Sequence, residues 1–229
     1  MGSRQPFWKL HGFCMTVLYL VPTRQVRGLI PSPLEIYEVM PGMTVGGIYA
    51  ARHGKPGEPS SSEFGLLPAS VSYGGRKGFY MHNFCVDSED TKPCGRRAFT
   101  TDKAVSDFSW DITDKSINLD VFSGGNPVVN VRMHPIISKT PLTASFPILC
   151  VKGNNVVFLR NNYAASIGIS TSTVTVPSGS PLSGFPFKIK LISTMWDASN
   201  IILKEPEYLH AGALKRADNA LGSPIGRQM

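Results

Sequence analysis

Along most of this chain, apolar and β-branched residues come in short runs bounded by Gly, Pro and Ser, a pattern that predicts strands. The runs are Cys14–Leu20, Thr44–Ala51, Phe64–Tyr73, Phe79–Val86, Ile117–Phe122, Val128–Met133, Val156–Leu159, Thr171–Val176 and Phe187–Ile192. Two of them, TSTVTV and FKIKLI, alternate apolar and polar positions almost strictly, as a sheet with one buried and one wet face requires. Helical periodicity is scarce. A short helix is predicted over Pro33–Val39, a turn or two over Asp102–Asp107, and the strongest helix over Glu205–Ala217, ended by Asp218, Asn219, Gly222 and Pro224. Many strands without intervening 3.6-period helices exclude repeated βαβ units and predict an antiparallel barrel or sandwich. The Gly/Pro/Ser-rich stretches Gly54–Ser62 and Pro177–Gly184 are too short for domain linkers, and no long internal repeat is visible, so residues 1–229 are expected to form a single domain.

Composition sharpens this picture. Hydrophobic residues make up 42% of the 229 positions, enough to fill a core, so a disordered chain is disfavoured. A net charge of +7 raises nucleic acid or an acidic membrane as partners. The basic residues are dispersed, however, and the densest patches are only pairs: Arg76-Lys77, Arg96-Arg97 and Lys215-Arg216. The expectation is no nucleic-acid partner, no membrane partner, and a mild preference for anionic small molecules.

Cys14, Cys85, Cys94 and Cys150 are too sparse for a disulfide scaffold and form no Cys-x-x-Cys pair. Free, buried thiols in a reducing compartment are expected. The apolar stretch FCMTVLYLV follows Arg4 and Lys9 but is too short to span a bilayer, and no small-residue cleavage signal follows it. These features predict a soluble cytoplasmic protein.

Signatures of common chemistries are missing. There is no Gly-x-Gly-x-x-Gly after a strand, no P-loop and no Gly-x-Ser-x-Gly elbow, and His11, His53, His82, His134 and His210 lack metal-ligand spacing. Neither a metal nor an organic cofactor is expected. What stands out are polar residues in apolar surroundings: Glu63 at the head of EFGLLPA, His82 inside an apolar strand, and Lys103 flanked by aromatic residues. Composition alone reads His82 as a structural histidine and Lys103 as a surface lysine beside Asp102.

Four blocks carry a family resemblance. VRGLIPSPLE (26–35) resembles the Val-x-x-Leu-x-Pro-x-Pro-Leu segment of the acetoacetate decarboxylase superfamily. SSEFGLLPA (61–69) is similar to its Tyr-x-Glu strand, and VSYGGRKGFYMHNFCVD (71–87) to its next hairpin. The stretch from Cys94-Gly95-Arg96 to Lys103 keeps the Gly-Arg pair and the spacing to the family's imine-forming lysine. Order and spacing hold from about residue 26 to 110, with a weaker match at Pro177–Leu182.

The resemblance implies a mainly β (β-rich α+β) fold: one antiparallel, cone-like β-barrel domain with a few short helices and an apolar tunnel. It further implies a homo-oligomer and a small-molecule carbonyl or carboxylate substrate. Lys103 corresponds to the Schiff-base lysine, Glu63 to the proton-handling carboxylate, and Arg96 to the Gly-Arg arginine. Tyr80, His82, Arg97 and Asp102 complete the expected substrate-binding set. A lysine is normally protonated at neutral pH and must be desolvated or set beside a cation to become a nucleophile; acetoacetate decarboxylase is itself the known example.

The chain departs from the family at several points. Ala104 stands where the decarboxylases carry a second lysine or a glutamate, Arg97 replaces the Glu of Gly-Arg-Glu, and Asp102 replaces a Pro. An arginine of the first strand falls near Gly12 here, leaving Arg97 as a candidate replacement cation. A close Asp102 carboxylate would raise the lysine pKa, so desolvation must offset it. The leading expectation is therefore a lyase acting on an oxo acid or related carbonyl compound through Lys103, by decarboxylation or aldol/dehydration chemistry. The alternatives are a cyclase or isomerase of a polyketide- or terpenoid-like intermediate using Glu63, Asp102 and His82 without an imine, and a non-catalytic binding barrel.

Overall fold

The computed structural model describes residues 8–54, 60–89 and 104–210. Among these residues fourteen strands belong to one sheet. They are β1 (Trp8–Pro22), β2 (Glu35–Ile36), β3 (Met43–His53), β4 (Ser61–Leu67), β5 (Ser70–Tyr73), β6 (Arg76–Tyr80) and β7 (His82–Val86). After them come β8 (Ala104–Val105), β9 (Asp107–Ile112), β10 (Ile117–Ser123), β11 (Asn126–Lys152), β12 (Asn155–Thr175), β13 (Ile189–Leu203) and β14 (Glu207–His210). The order is β2-β5-β6-β11-β12-β13-β1-β3-β4-β7-β8, with β10 on β11, β9 on β10 and β14 on β12. The fold is thus mainly β and mostly antiparallel; among the described residues only the β6–β11 and β7–β8 pairings are parallel.

The ladder is an open path, but covalent continuity draws its two arms together. β4 pairs with β3, then Pro68-Ala69 carries the chain directly into β5, which pairs with β6 on the other arm. One residue, Met81, returns it from β6 to β7 and back to β4. These crossings are why the predicted runs Phe64–Tyr73 and Phe79–Val86 are each two strands. The β5–β6 hairpin turns on Gly74-Gly75 with φ of 55° and 75°, the doubly left-handed geometry that matches strand twist and favours glycine.

The predicted helix over Pro33–Val39 is corrected. Glu35 and Ile36 pair with Ser72 and Val71, and the Tyr37 N–H donates to the Ser70 carbonyl, so the segment's backbone groups are taken up by a neighbouring strand. The helix over Glu205–Ala217 is also corrected where it is described: Glu207–His210 pairs with Phe158–Asn155, and Leu209 packs on the core. Of Asp102–Asp107, Ala104 and Val105 are strand and Asp107 opens β9, while Asp102 and Lys103 lie outside the described residues. The helical turns fall instead at Thr23–Val26, followed by a 3-10 turn over Arg27–Leu29. Among the described residues no helix is long and apolar enough to cross a membrane.

Alternation along β1, β3 and β4 sorts side chains to two sides. Met15, Val17, Ile48, Ala50, Phe64 and Leu66 enter one apolar cluster, which extends to Leu119, Val131 and Leu182. Cys14, Tyr49, Ala51 and Leu67 enter a second, with Phe146, Cys150, Leu159 and Tyr163. The second side holds the candidate site.

Candidate active site

Glu63 is a buried carboxylate, 8% exposed, on β4. Its cross-strand partners are Ala51 on β3 and Val86 on β7. Tyr49 and His53 lie two residues either side of Ala51, so strand alternation turns all three to the face Glu63 occupies. The Tyr49 hydroxyl donates to Glu63 Oε1 at 2.9 Å, and His53 Nε2 lies 3.0 Å from the same oxygen. His53 is itself buried, and its Nδ1 has no hydrogen-bond partner.

Aromatic rings continue the site away from Glu63. Tyr49 stacks on Phe146 (centroids 5.9 Å apart), and Phe146 stacks on Phe79 at 5.0 Å. Tyr163 meets Trp196 edge to face at 5.3 Å. Cys14, paired with Ala51 from β1, brings its Sγ to 3.9 Å from the Tyr49 hydroxyl. Cys14, Thr16, Tyr49, Phe146, Tyr163 and Trp196 line a narrow crevice on this face. At its Trp196 end the indole N–H donates to Thr194 Oγ1 at 2.7 Å, and Thr194 is bonded in turn to Thr16 at 2.7 Å.

Burial decides the protonation of these neighbours. It pushes the Cys14 thiol up to about 12, and lifts the Tyr49 and Tyr163 phenols well above their ordinary value, with Cys14 and Glu63 adding like-charge repulsion. Each disfavours an anion, because a charge in a dry site loses hydration without a compensating partner. Tyr49 is therefore a permanent O–H donor to Glu63.

The other expected site residues are distributed unevenly. His82 is half-buried opposite Leu66, on the side of β4 facing away from Glu63, and burial lowers its pKa. Tyr80 packs on that same apolar cluster, 6.1 Å from the His82 ring, with its phenol raised chiefly by burial. The structure does not bring these two together with Glu63. Lys103, Arg96, Arg97 and Asp102 lie outside the described residues. Gly12 has a φ of 153°, and a Cβ there would sit 2.2 Å from the Arg52 carbonyl oxygen, so the backbones of β1 and β3 exclude any side chain at that point. Among the described residues no cluster of His, Cys, Asp and Glu is arranged to hold a metal ion.

Sequence reasoning passed over Tyr49 and His53. Their signal was present: in YAARH (49–53) the first and last residues share a strand face. What connects them to Glu63 is the β3–β4 register, which pairs Ala51 with Glu63.

Comparisons with known proteins agree with this architecture. The sequence model of the acetoacetate decarboxylase family matches residues 1–182. The chain belongs to that family. Among solved structures, an acetoacetate decarboxylase is similar at 18% identity, covering 91% of each chain with a TM-score of 0.62. The acetoacetate decarboxylase of Legionella pneumophila is similar at 13% identity, covering 91% of this chain and 92% of the other, with a TM-score of 0.63. The enduracididine biosynthesis enzyme MppR, complexed with the condensation product of pyruvate and imidazole 4-carboxaldehyde, is similar at 14% identity, covering 93% and 92% with a TM-score of 0.64. No curated protein matched.

Proposed function

We propose that this protein is a lyase-type enzyme acting on an oxo acid or related carbonyl compound, with Lys103 forming a Schiff base and Glu63 moving the proton. The observation that carries the reading is the buried Glu63 carboxylate, held by His53 and by Tyr49, which itself lines an aromatic crevice. A carboxylate this deep requires a compensating role, because burying a charge is costly.

The connectivity around it supports the lysine. Ala104, the residue after Lys103, pairs with Cys85, and Val105 pairs with Val86, the partner of Glu63. Only β7 therefore separates β8 from β4, a span of about 10 Å at ordinary strand spacing. Cross-strand partners share a face, so Val105, two residues after Lys103 in the sequence, shares one with Val86 and Glu63.

In this reading the unprotonated Lys103 amine attacks the substrate carbonyl carbon, and water departs with uptake of one proton from solvent. The resulting protonated imine accepts the electron pair of the breaking bond, whether a carbon–carbon bond lost with carbon dioxide or a carbon–hydrogen bond whose proton passes to Glu63. After proton abstraction Glu63 returns that proton to carbon; after decarboxylation it relays one taken up from solvent; water then hydrolyses the imine, freeing the product and the Lys103 amine. The apolar, aromatic walls keep water from the imine and favour the neutral amine. Family membership and the likeness to MppR, solved with a condensation product, are consistent with either decarboxylation or aldol/dehydration chemistry.

Borohydride reduction in the presence of pyruvate or acetoacetate tests this directly. The peptide containing Lys103 should gain the mass of the reduced adduct, and Lys103→Ala should abolish both adduct and turnover. Active protein that yields no adduct sinks the imine. A second reading, acid/base cyclisation or isomerisation without an imine, is favoured by one observation: Glu63, His53 and Tyr49 form an acid/base set without the lysine. In that case Lys103→Ala keeps substantial activity and Glu63→Gln does not.

A further inference from the structure

We infer that His53 is the positioning residue of Glu63, donating from Nε2 to Oε1 together with the Tyr49 hydroxyl and so holding the carboxylate ionised and oriented as a proton acceptor. This rests on the reading of Glu63 as the proton-handling group.

The geometry distinguishes the two neutral tautomers of His53. With the hydrogen on Nε2, the ring donates to Glu63 at 3.0 Å and leaves only a lone pair unpartnered at Nδ1. With the hydrogen on Nδ1, a buried N–H has no acceptor, and Nε2 faces Oε1 with lone pair against lone pair unless the carboxyl is protonated. Orphaned buried N–H groups are rarer and costlier than unfilled acceptors. The first arrangement is therefore the resting one.

Among the described residues, the following groups face the pair. From β4 there are Glu63 and Ser61, the residue opposite His53; from β3 itself, Tyr49. From β1 come Cys14 and, opposite His53, Gly12, which has no side chain; from β12 there is Tyr163. Cys14, Tyr49 and Tyr163 are all held neutral by burial. No described neighbour in this set competes with His53 as a mobile donor to Glu63. Two donors on one oxygen favour the charged form of a carboxylate, so each lowers the pH at which it protonates.

Two measurements test the inference. In the full-length protein at pH 7.5, the nitrogen chemical shifts of His53 should report the Nε2–H tautomer, in a readout that needs no substrate. An Nδ1–H tautomer overturns the proposal. The second measurement is the Lys103-dependent exchange of pyruvate methyl protons in deuterated water, across pH. His53→Leu should slow it by about 10- to 100-fold and move its acid limb upward, as expected for loss of a hydrogen bond to a charged group. His53→Gln, whose amide can still donate but does not titrate, should recover the rate to within a few-fold. Leu and Gln variants that both match wild type, or that are equally impaired, overturn the proposal. Wild-type protein with no exchange and no borohydride adduct removes the imine reading instead, and the tautomer then decides the role of His53 alone.

Discussion

The two sides of β1, β3 and β4 are built from alternate residues of the same strands, yet they differ in kind. On one side Met15, Val17, Ile48, Ala50, Phe64 and Leu66 pack without a polar atom among their side chains apart from the Met15 sulfur. On the other, Cys14, Thr16, Tyr49, His53 and Glu63 interrupt the apolar surface, and most of their polar atoms are spent on one another. One side therefore stabilises the sheet by excluding water. The other spends part of that stability to keep a charge and its donors dry. A period of two lets a single strand do both, because adjacent side chains never share an environment.

The sharpest way to break the comparison is to neutralise the charge without changing the shape. Glu63→Gln keeps the volume and an acceptor for Tyr49 and His53. It should lower turnover, or methyl-proton exchange, by about 10²- to 10⁴-fold, the usual contribution of a positioned acid or base. The melting temperature should move little. A variant that melts far below wild type would show that Glu63 holds the fold together and would dissolve the distinction between the two sides.

The reciprocal change falls one residue away. Phe64 is fully buried in the apolar cluster and should cost about 3–5 kcal/mol when cut to alanine, through lost transfer energy and the cavity left behind. In a chain of this size that lowers the melting temperature by roughly 10 °C. The protein that remains folded at low temperature should keep its exchange rate, since no atom of Glu63, Tyr49 or His53 is removed.

Some of this was legible in the sequence and some was not, for identifiable reasons. Strict alternation made TSTVTV (171–176) readable as a strand, and apolar, β-branched and aromatic content made the Thr44–Ala51 run readable as one. The middle of β11, including Ile136, Ile137 and Leu142, was not, because those apolar side chains lie on the surface and follow no period. Glu205–Ala217 read as a helix because Tyr208 and Leu209 looked like a helical stripe, whereas four of its residues add a strand to β12, a pairing about fifty residues away. At the site, Glu63 was legible as a carboxylate in an apolar strand. Tyr49 and His53 were not, because their meeting with Glu63 depends on hairpin register. Cys14 and Tyr163 reach the same crevice from β1 and β12, a convergence that only tertiary structure reveals.

A smaller effect separates hydrogen bonding from burial on the crevice side. Thr194 Oγ1 receives the Trp196 indole N–H and bonds Thr16, both at 2.7 Å. Thr194→Val keeps the shape and strands both partners, at a cost of about 1 kcal/mol. That corresponds to a fall of roughly 2–4 °C in melting temperature. Replacing Thr16 by Val as well should restore part of the loss, since one of the two orphaned groups is then gone; a double variant that melts well below the single one would deny the bond.

The smallest expected effect is an absence of reaction, and it tests how dry the crevice is. Cys14 on the crevice side and Cys150 in the same cluster are both pushed up to about 12 by burial. A thiol with that pKa is ionised in about one molecule in ten thousand at pH 8, against roughly one in four for an unperturbed cysteine, and only the thiolate alkylates. Iodoacetamide at pH 8 should therefore leave both residues unmodified in the folded protein and label both after denaturation. The sign is fixed: burial raises these values, so reactivity should appear only as the pH climbs toward 12 or as the sheet opens. Rapid native labelling of Cys14 with Cys150 spared would mean that water and reagent reach the Tyr49 hydroxyl. The environment that keeps Tyr49 a fixed donor to Glu63 would then be wetter than the geometry requires.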